Sequence, residues 1–267
     1  MKKSITFIGG GNMASAIIGG IINAGFADPE EITATAKTEH TCEKLKKEFH
    51  IKTTTDNAEG AKDADILFLA VKPFLFKSVI PQIRDMIKPE ALIVSIAAGQ
   101  SMDAIETLFD KEIKLIRVMP NTPALVGESM SALCKNSHVT PEEMEEIVNI
   151  FESFGKAETV PESLMDTVTG ISGSSPAYAY IMIEAMADAA VADGMARSQA
   201  YKFAAQALLG SAKMVLETGK HPGELKDAVC SPGGTTIAAV AKLEEKGFRD
   251  AIISAQRSCV AKSREMR

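Results

Sequence analysis

A chain of 267 residues, 46% of them hydrophobic, is long enough for one large domain or two modest ones with a buried core. The formal net charge of -6 at pH 7 argues against a nucleic-acid or anionic-membrane partner, because both favour a basic surface, and no apolar run reaches the roughly 18 residues of a membrane span. Four cysteines and four histidines lie scattered without metal-site spacings, so we expect reduced thiols, no bound metal and a cytoplasmic location.

Residues 1–160 alternate short apolar runs with amphipathic stretches. The runs predict strands at residues 4–8, 32–36, 65–71, 91–96 and 114–118. The stretches predict helices at residues 12–24, 40–49, 74–87, 101–109 and 141–154, the last with Thr140 as its N-cap and Pro141 at its first position. This alternation predicts an α/β domain with a parallel, doubly wound sheet.

Residues 161–267 carry a different pattern, with helices expected at 164–171, 176–193, 198–217, 235–245 and 248–267 and no strand among them. The helices between residues 176 and 210 are rich in Ala, Met and Gly on more than one face, and such helices need cover on several sides. We therefore predict an all-α second domain that carries a subunit interface.

A glycine-rich turn follows the first predicted strand and opens the first predicted helix. Its sequence, Gly9-Gly10-Gly11-Asn12-Met13-Ala14, fits the G-x-G-x-x-[GA] pattern of dinucleotide-binding turns. In that pattern the first glycine allows the turn, the second lets the backbone approach a pyrophosphate, and Ala14 keeps the helix close to the sheet. The alternative is an ordinary glycine-rich turn, which the flanking strand and helix disfavour.

The end of the second predicted strand indicates which dinucleotide is preferred. NAD-selective sites usually place an Asp or Glu there, whereas this chain has Ala36, Lys37 and Thr38. Lys37 is suited to the 2′-phosphate of NADP, or it is simply a solvated lysine. Asn57 is suited to the adenine side of the cofactor, or it merely caps the helix that follows.

Another candidate binding segment opens the helix predicted at 235–245. The turn Ser231-Pro232-Gly233-Gly234-Thr235-Thr236 leaves several backbone N–H groups without helical partners, which suits a carboxylate or phosphate. The alternative is that Ser231 and Thr235 merely cap the helix. Residues 172–178 also open a helix with small residues, as a cap or as a point of close backbone approach. Neither segment offers a nucleophile or strong base, and hydride transfer to a protonated imine needs none.

The segment 225–245 resembles the signature of the pyrroline-5-carboxylate reductase family. Further matches lie at residues 7–14, 70–73, 117–123 and 170–178, in order over essentially the whole chain. Ser175, where the family often has Gly, and Ala228, where some members have Asn, depart from the pattern.

The resemblance implies a Rossmann domain (1–160) and a helical substrate-binding and dimerisation domain (161–267), with dimers assembling further. It implies reduction of 1-pyrroline-5-carboxylate to L-proline, the last step of proline synthesis, with NADPH or, less well, NADH. Gly234, Thr235 and Thr236 would hold the substrate, Thr236 would be the catalytic group at the ring nitrogen, and Glu162 would lie near the substrate. The cofactor-binding residues would be Ile8, Gly9, Gly10, Gly11, Asn12, Met13, Lys37, Asn57, Ala70, Val71, Lys72, Pro73, Ala97, Ala98 and Gly99.

Two rival hypotheses stay open at this point. A β-hydroxyacid dehydrogenase pairs a similar Rossmann half with a helical half and uses a lysine, for which Lys202 and Lys213 are candidates by residue type only. That reading leaves the turn at 231–236 unexplained. The second rival is a non-catalytic paralogue that binds a dinucleotide, against which an intact Thr236 argues.

Overall fold

The computed structural model describes residues 3–266. Their contacts divide the chain into two compact units, one running up to Ser174 and resuming at Cys259, the other comprising Ser175–Ser258. The division falls later than the domain boundary predicted between residues 160 and 161. Residues following that boundary belong to the first unit because Met165 is buried in a cluster with Ala132 and Cys134.

The first unit is built on an eight-stranded sheet. Its strands are β1 (Ile5–Ile8), β2 (Ile32–Thr35), β3 (Lys52–Thr54), β4 (Ile66–Leu69), β5 (Leu92–Ser95), β6 (Lys114–Met119), β7 (Ser129–Lys135) and β8 (Gly155–Thr159). They lie in the order β3-β2-β1-β4-β5-β6-β7-β8, and every neighbouring pair is parallel except β6 and β7. The predicted doubly wound sheet is confirmed, and its strand order reverses between β1 and β4, the position at which such sheets bind dinucleotides.

The sequence pattern does not predict β3, β7 and β8. β3 and β8 lie at the two edges of the sheet and have no apolar run. β3 has only three residues and begins with an exposed Lys, and β8 contains an exposed Lys and an exposed Glu. In β7 the small polar residues Ser129 and Ser131 occupy fully buried positions, so the strand lacks the expected apolar alternation. Because β7 runs antiparallel to β6, the sheet is mixed and not wholly parallel.

Helices flank the sheet between its strands. They are α1 (Asn12–Asn23), α2 (Glu39–Phe49), α3 (Asn57–Ala61), α4 (Phe76–Ile83), α5 (Met102–Phe109), α6 (Pro141–Glu152) and α7 (Met165–Val168). Thr140 caps α6 as predicted, in a capping box with Glu143. The helix predicted at 74–87 is shorter, because a 3-10 turn precedes α4 and Pro81 lacks one helical N–H. The segment predicted at 164–171 is α7 followed by a π-helical turn.

The sheet has an apolar layer on each face. One layer joins α1 and α6 to the sheet and includes the stacked rings of Phe7 and Phe68, whose centroids are 4.5 Å apart. The other packs α4 and α5 against the opposite face through residues such as Phe76 and Ile105. The strand ends that carry the candidate site are therefore fixed to a packed core.

The described residues after α7 form helices only. They are α8 (Ser175–Ala192), α9 (Arg197–Thr218), α10 (Pro222–Ala228), α11 (Thr235–Glu245) and α12 (Phe248–Glu265). The predicted end of the last helix at Arg267 lies outside the described residues. Within the chain α8 packs on α9, yet large apolar side chains on both stay exposed, among them Ile181, Phe203 and Leu216. Across residues 3–266 we find no helix of the length and apolarity that crossing a bilayer requires.

Candidate active site

The glycine turn between β1 and α1 has the geometry that a dinucleotide-binding turn requires. Gly9 has φ +109, a conformation that side chains rarely adopt. A Cβ on Gly9 would lie 2.9 Å from the carbonyl carbon of Ala70 and 2.8 Å from Val71 Cγ1, so two of the predicted strand ends meet here. The backbone carbonyl of Ile8 accepts a hydrogen bond from Ala70 N at 2.9 Å, which joins the ends of β1 and β4.

Gly11 leaves the start of α1 open. It is the N-cap residue, and no side chain in the described structure caps the helix there. A Cβ on Gly11 would meet no atom within 4 Å, and both Gly11 and Asn12 are exposed. Free N–H groups at the start of a 12-residue helix attract an anion such as a pyrophosphate. Buried Ala14 keeps α1 against the sheet, so these residues fit the dinucleotide that the sequence predicts.

The end of β2 carries a lysine where an NAD site usually has a carboxylate. Lys37 is exposed, as are Thr38 and Glu39 after it. Thr38 caps α2, with its side chain accepting a hydrogen bond from Thr41 N, so its hydroxyl already has a structural role. The exposed Lys37 ammonium is the group at this strand end that suits a phosphate.

Asn57 does not cap the helix that it begins. Asp56 is the N-cap of α3, and its carboxylate accepts hydrogen bonds from Ala58 N at 2.8 Å and Glu59 N at 3.2 Å. Asn57 instead accepts from the Thr35 hydroxyl at 2.6 Å and donates to Gln82 Oε1 at 2.9 Å. The capping alternative is therefore wrong, and Asn57 belongs to a polar network behind the glycine turn.

The remaining predicted cofactor residues lie on two turns of the first unit. Lys72 is exposed, whereas Val71 and Pro73 are partly buried. In the turn after β5, Gly99 has φ +72, and a Cβ there would lie 3.0 Å from Met266 Cβ. Position 99 therefore requires glycine, both because of its backbone conformation and because Met266 approaches closely. Ala97 and Ala98, immediately before it, have small side chains.

An ion pair between a buried arginine and a partly buried glutamate holds the helix that follows this turn. Arg117 on β6 is 3% exposed, and its NH1 donates to Glu162 Oε1 at 3.0 Å. The same oxygen accepts from Met102 N, the first residue of α5, at 2.7 Å. Glu162 therefore fixes the start of α5, a role that the sequence does not reveal because its partners lie 45 and 60 positions away.

An apolar groove of about 690 Å³ lies beside this pair, between α6 and β7. Cys134 lines it together with Leu133, Met144 and Val160. Burial, and to a smaller extent the charge of Glu162, raises the pKa of the Cys134 thiol to about 12. Cys134 is therefore a packing residue and not a nucleophile at neutral pH.

In the second unit the turn at 231–236 opens α11 without a capping side chain in the described structure. The N-cap residue is Gly234, and Gly234 N donates to Ser231 O at 3.0 Å, closing the turn. Gly233 has φ +68, and a Cβ on Gly234 would collide with the Ser231 side chain. Thr235 is exposed and Thr236 partly buried. The alternative that Ser231 or Thr235 caps the helix is therefore wrong, and the helix start is open to a carboxylate.

Of the small residues at 172–178, those up to Ser174 serve packing in the first unit, and those from Ser175 onward belong to the second unit. A Cβ on Gly173 would lie 2.5 Å from Met119 Cε, and Ser172 O accepts a hydrogen bond from Asn121 Nδ2 at 3.1 Å. The Ser174 hydroxyl lies 3.2 Å from the Cys259 thiol. This segment lets neighbouring parts of the same unit approach closely.

Neither lysine of the dehydrogenase hypothesis has the surroundings of a catalytic group. Lys213 is 65% exposed and pairs with Glu217 at 3.3 Å along the same helix. Lys202 is an exposed residue of α9. A lysine that acts as an acid or base is normally buried or held by a specific partner in a cleft.

Two family models cover most of the chain. One, described as pyrroline-5-carboxylate reductase dimerisation, matches residues 162–266, and another, described as NADP oxidoreductase coenzyme F420-dependent, matches residues 4–99. Pyrroline-5-carboxylate reductase of Escherichia coli K12 is 51% identical over 266 residues, covering 100% of this chain and 99% of that protein.

Solved structures agree with this likeness. A pyrroline-5-carboxylate reductase from Coxiella burnetii superposes with a TM-score of 0.91 at 34% identity, covering 100% of this chain and 99% of that one. The Plasmodium falciparum pyrroline carboxylate reductase with NADP bound gives 0.91 at 33% identity, with the same coverage.

Proposed function

The chain belongs to the pyrroline-5-carboxylate reductase family, and from that premise we infer that it reduces 1-pyrroline-5-carboxylate to L-proline as an NAD(P)-dependent oxidoreductase. The observation that connects this function with particular residues is the open start of α11, which lies within the matched residues 162–266 and within the segment 225–245 that resembles the family's signature. When bound, NADPH supplies the hydride that the imine carbon accepts.

We propose that the substrate carboxylate binds at Gly234 and Thr235, where the N–H groups in the first turn of α11 have no helical partner and the helix dipole favours an anion. The Gly234 N–H itself donates to Ser231 O and holds the turn in place. The Thr236 hydroxyl stays hydrogen-bonded to the ring nitrogen of the substrate while this nitrogen changes from an iminium to an amine. Glu162 is proposed to meet the substrate as well. Because its Oε1 is engaged by Arg117 and Met102, Oε2 is the oxygen assigned to that contact.

The cofactor is proposed to lie on the glycine turn and the strand ends described above, with its pyrophosphate at the start of α1. The open Gly11 position and the close approach of Gly9 to Ala70 support this placement. We propose that NADPH is preferred over NADH because Lys37, and no carboxylate, follows β2. The four free cysteines are consistent with the cytoplasmic location that we also propose.

The test of the function is the loss of NADPH absorbance on addition of 1-pyrroline-5-carboxylate, with L-proline identified as the product. A parallel assay offers a β-hydroxy acid with NADP⁺. We expect turnover in the first assay only. Oxidation of the hydroxy acid without imine reduction would support the dehydrogenase hypothesis, and NADPH binding without turnover in either assay would support the non-catalytic paralogue.

We propose that the apolar faces of α8 and α9 are buried between two subunits and that dimers assemble further. Tyr180, Ile181 and Phe203 are each at least 60% exposed in the single chain, and burying such side chains contributes about 1.5–3 kcal/mol each. Light scattering at micromolar concentration should give a dimer or a multiple of it. A stable, active monomer would contradict the proposed interface.

A further inference from the structure

The hydroxyl of Thr35 is buried directly behind the glycine turn. Thr35 is the last residue of β2 and is 1% exposed. Its Oγ1 lies 3.2 Å from Gly9 N and 2.6 Å from Asn57 Oδ1. This single side-chain atom therefore joins the first glycine of the turn to the start of α3.

The directions of these hydrogen bonds are fixed from both ends of a longer chain of contacts. The carbonyl of Ser78 can only accept, so Gln82 donates to it through Nε2 at 2.8 Å and must accept through Oε1. Asn57 then donates to Gln82 through Nδ2 and accepts through Oδ1 from the Thr35 hydroxyl. Having used its proton, that hydroxyl can only accept from Gly9 N–H, which can only donate.

We propose that Thr35 is a positioning residue for cofactor binding. It is too deeply buried to touch a ligand, yet its hydroxyl supplies the acceptor that holds Gly9 N–H while Gly9 keeps its unusual φ of +109. The Gly9 conformation in turn sets the direction of the free N–H groups at Gly11 and Asn12. The inference rests on the proposed function only in taking a dinucleotide as the ligand of this turn.

Replacing Thr35 with valine preserves the shape of the side chain and removes one oxygen. Gly9 N–H and Asn57 Oδ1, which are both partly buried, then lose their partner, and leaving a polar group without a partner away from water is unfavourable. The turn is expected to relax to satisfy them, which misdirects the N–H groups. We expect the Kd for NADPH to rise roughly five- to thirtyfold.

The experiment measures the Kd of NADPH and of NADH by fluorescence titration, the thermal midpoint, and kcat at saturating NADPH. Thr35→Ser keeps the hydroxyl and should bind both cofactors within about twofold of wild type. Thr33→Val is the matched control, because Thr33 lies two residues earlier on β2 and makes no side-chain hydrogen bond in the described structure. Thr35→Val should weaken both cofactors equally, since it acts at the shared pyrophosphate, and leave kcat at saturation within about twofold.

Three results would overturn the proposal: wild-type affinity in Thr35→Val, an equal loss in Thr33→Val, or a loss confined to NADPH. If Thr35→Val does not fold, Gln82→Ala tests the same chain from its exposed end and should also raise both Kd values. An unchanged Kd in that variant would then overturn the proposal. Wild-type turnover of 1-pyrroline-5-carboxylate is measured separately, so failure here leaves the proposed function standing.

Discussion

Gly9 and Gly11 lie two positions apart in one turn, and the structure predicts opposite consequences for replacing each with alanine. Gly9→Ala forces a side chain into φ +109, a strain of about 1–3 kcal/mol, and places Cβ within 2.9 Å of the Ala70 backbone. Backbone atoms cannot move aside as a flexible side chain can. We therefore expect a loss of at least about 2 kcal/mol of unfolding free energy, which lowers the thermal midpoint by roughly 4 °C or more in a protein of this size.

Gly11→Ala should leave the fold nearly intact. Gly11 has φ -82, which alanine adopts freely, and its Cβ would meet no atom within 4 Å. The only structural effect is a weaker N-cap, about 0.5–1 kcal/mol. The added methyl instead occupies the space where a pyrophosphate approaches, so loss of one hydrogen bond to a charged phosphate should raise the Kd for NADPH about tenfold or more.

The assay for this pair is calorimetry together with NADPH titration on the same preparations. A Gly9→Ala variant with the wild-type thermal midpoint would contradict the predicted strain at Gly9. A Gly11→Ala variant that binds NADPH with wild-type affinity would contradict the proposed approach of the pyrophosphate at Gly11.

Three further predictions concern single groups of the first unit. Lys37→Glu should raise the KM for NADPH and leave that for NADH unchanged or lower; equal KM values for both cofactors, unaltered by the substitution, would remove Lys37 from cofactor selection. Arg117→Leu leaves the partly buried Glu162 carboxylate without its cation, so the free energy of unfolding should fall by roughly 2–4 kcal/mol. The double variant Arg117→Leu with Glu162→Gln should recover part of this loss, and no recovery in a denaturant titration would contradict the pairing. Because the pKa of the Cys134 thiol is raised to about 12, little of it is thiolate at pH 8. Mass spectrometry should therefore find Cys230 alkylated well before Cys134. The reverse order would contradict the burial of Cys134.

The sequence predicts the central parallel strands because each is a short apolar run between turn residues, and the structure confirms these runs as β1, β2, β4, β5 and β6. The same pattern does not predict the strands at the edges of the sheet, because these lack an apolar run. β8 reads Gly-Lys-Ala-Glu-Thr and is held by pairing with β7 and not by its own apolar residues. Its contribution to the sheet depends on neighbours that a local pattern cannot identify.

The residues of the candidate site likewise fall into those that the sequence identifies and those that only the structure identifies. The glycine turn and the turn at 231–236 are local features whose residue types require particular backbone geometry, so the sequence identifies both. The sequence does not identify Thr35, because Lys37 is the residue at this strand end whose charge suits a phosphate. The Thr35 hydroxyl finds its partners only when β1, β2 and α3 come together in the fold. Arg117 and Glu162 are 45 positions apart and meet only in the folded sheet.

We propose that Thr236, at the open start of α11, supports the ring nitrogen of the imine during its reduction. The most direct measurement is turnover of 1-pyrroline-5-carboxylate with NADPH by Thr236→Ala and Thr236→Ser, alongside the NADPH Kd and thermal midpoint of each. A hydrogen bond to a charged group contributes about 1.5–3 kcal/mol, so Thr236→Ala should lose roughly ten- to more than a hundredfold in kcat with an unchanged Kd, and Thr236→Ser should keep most activity. A Thr236→Ala enzyme that melts earlier but turns over at the wild-type rate would contradict the assignment.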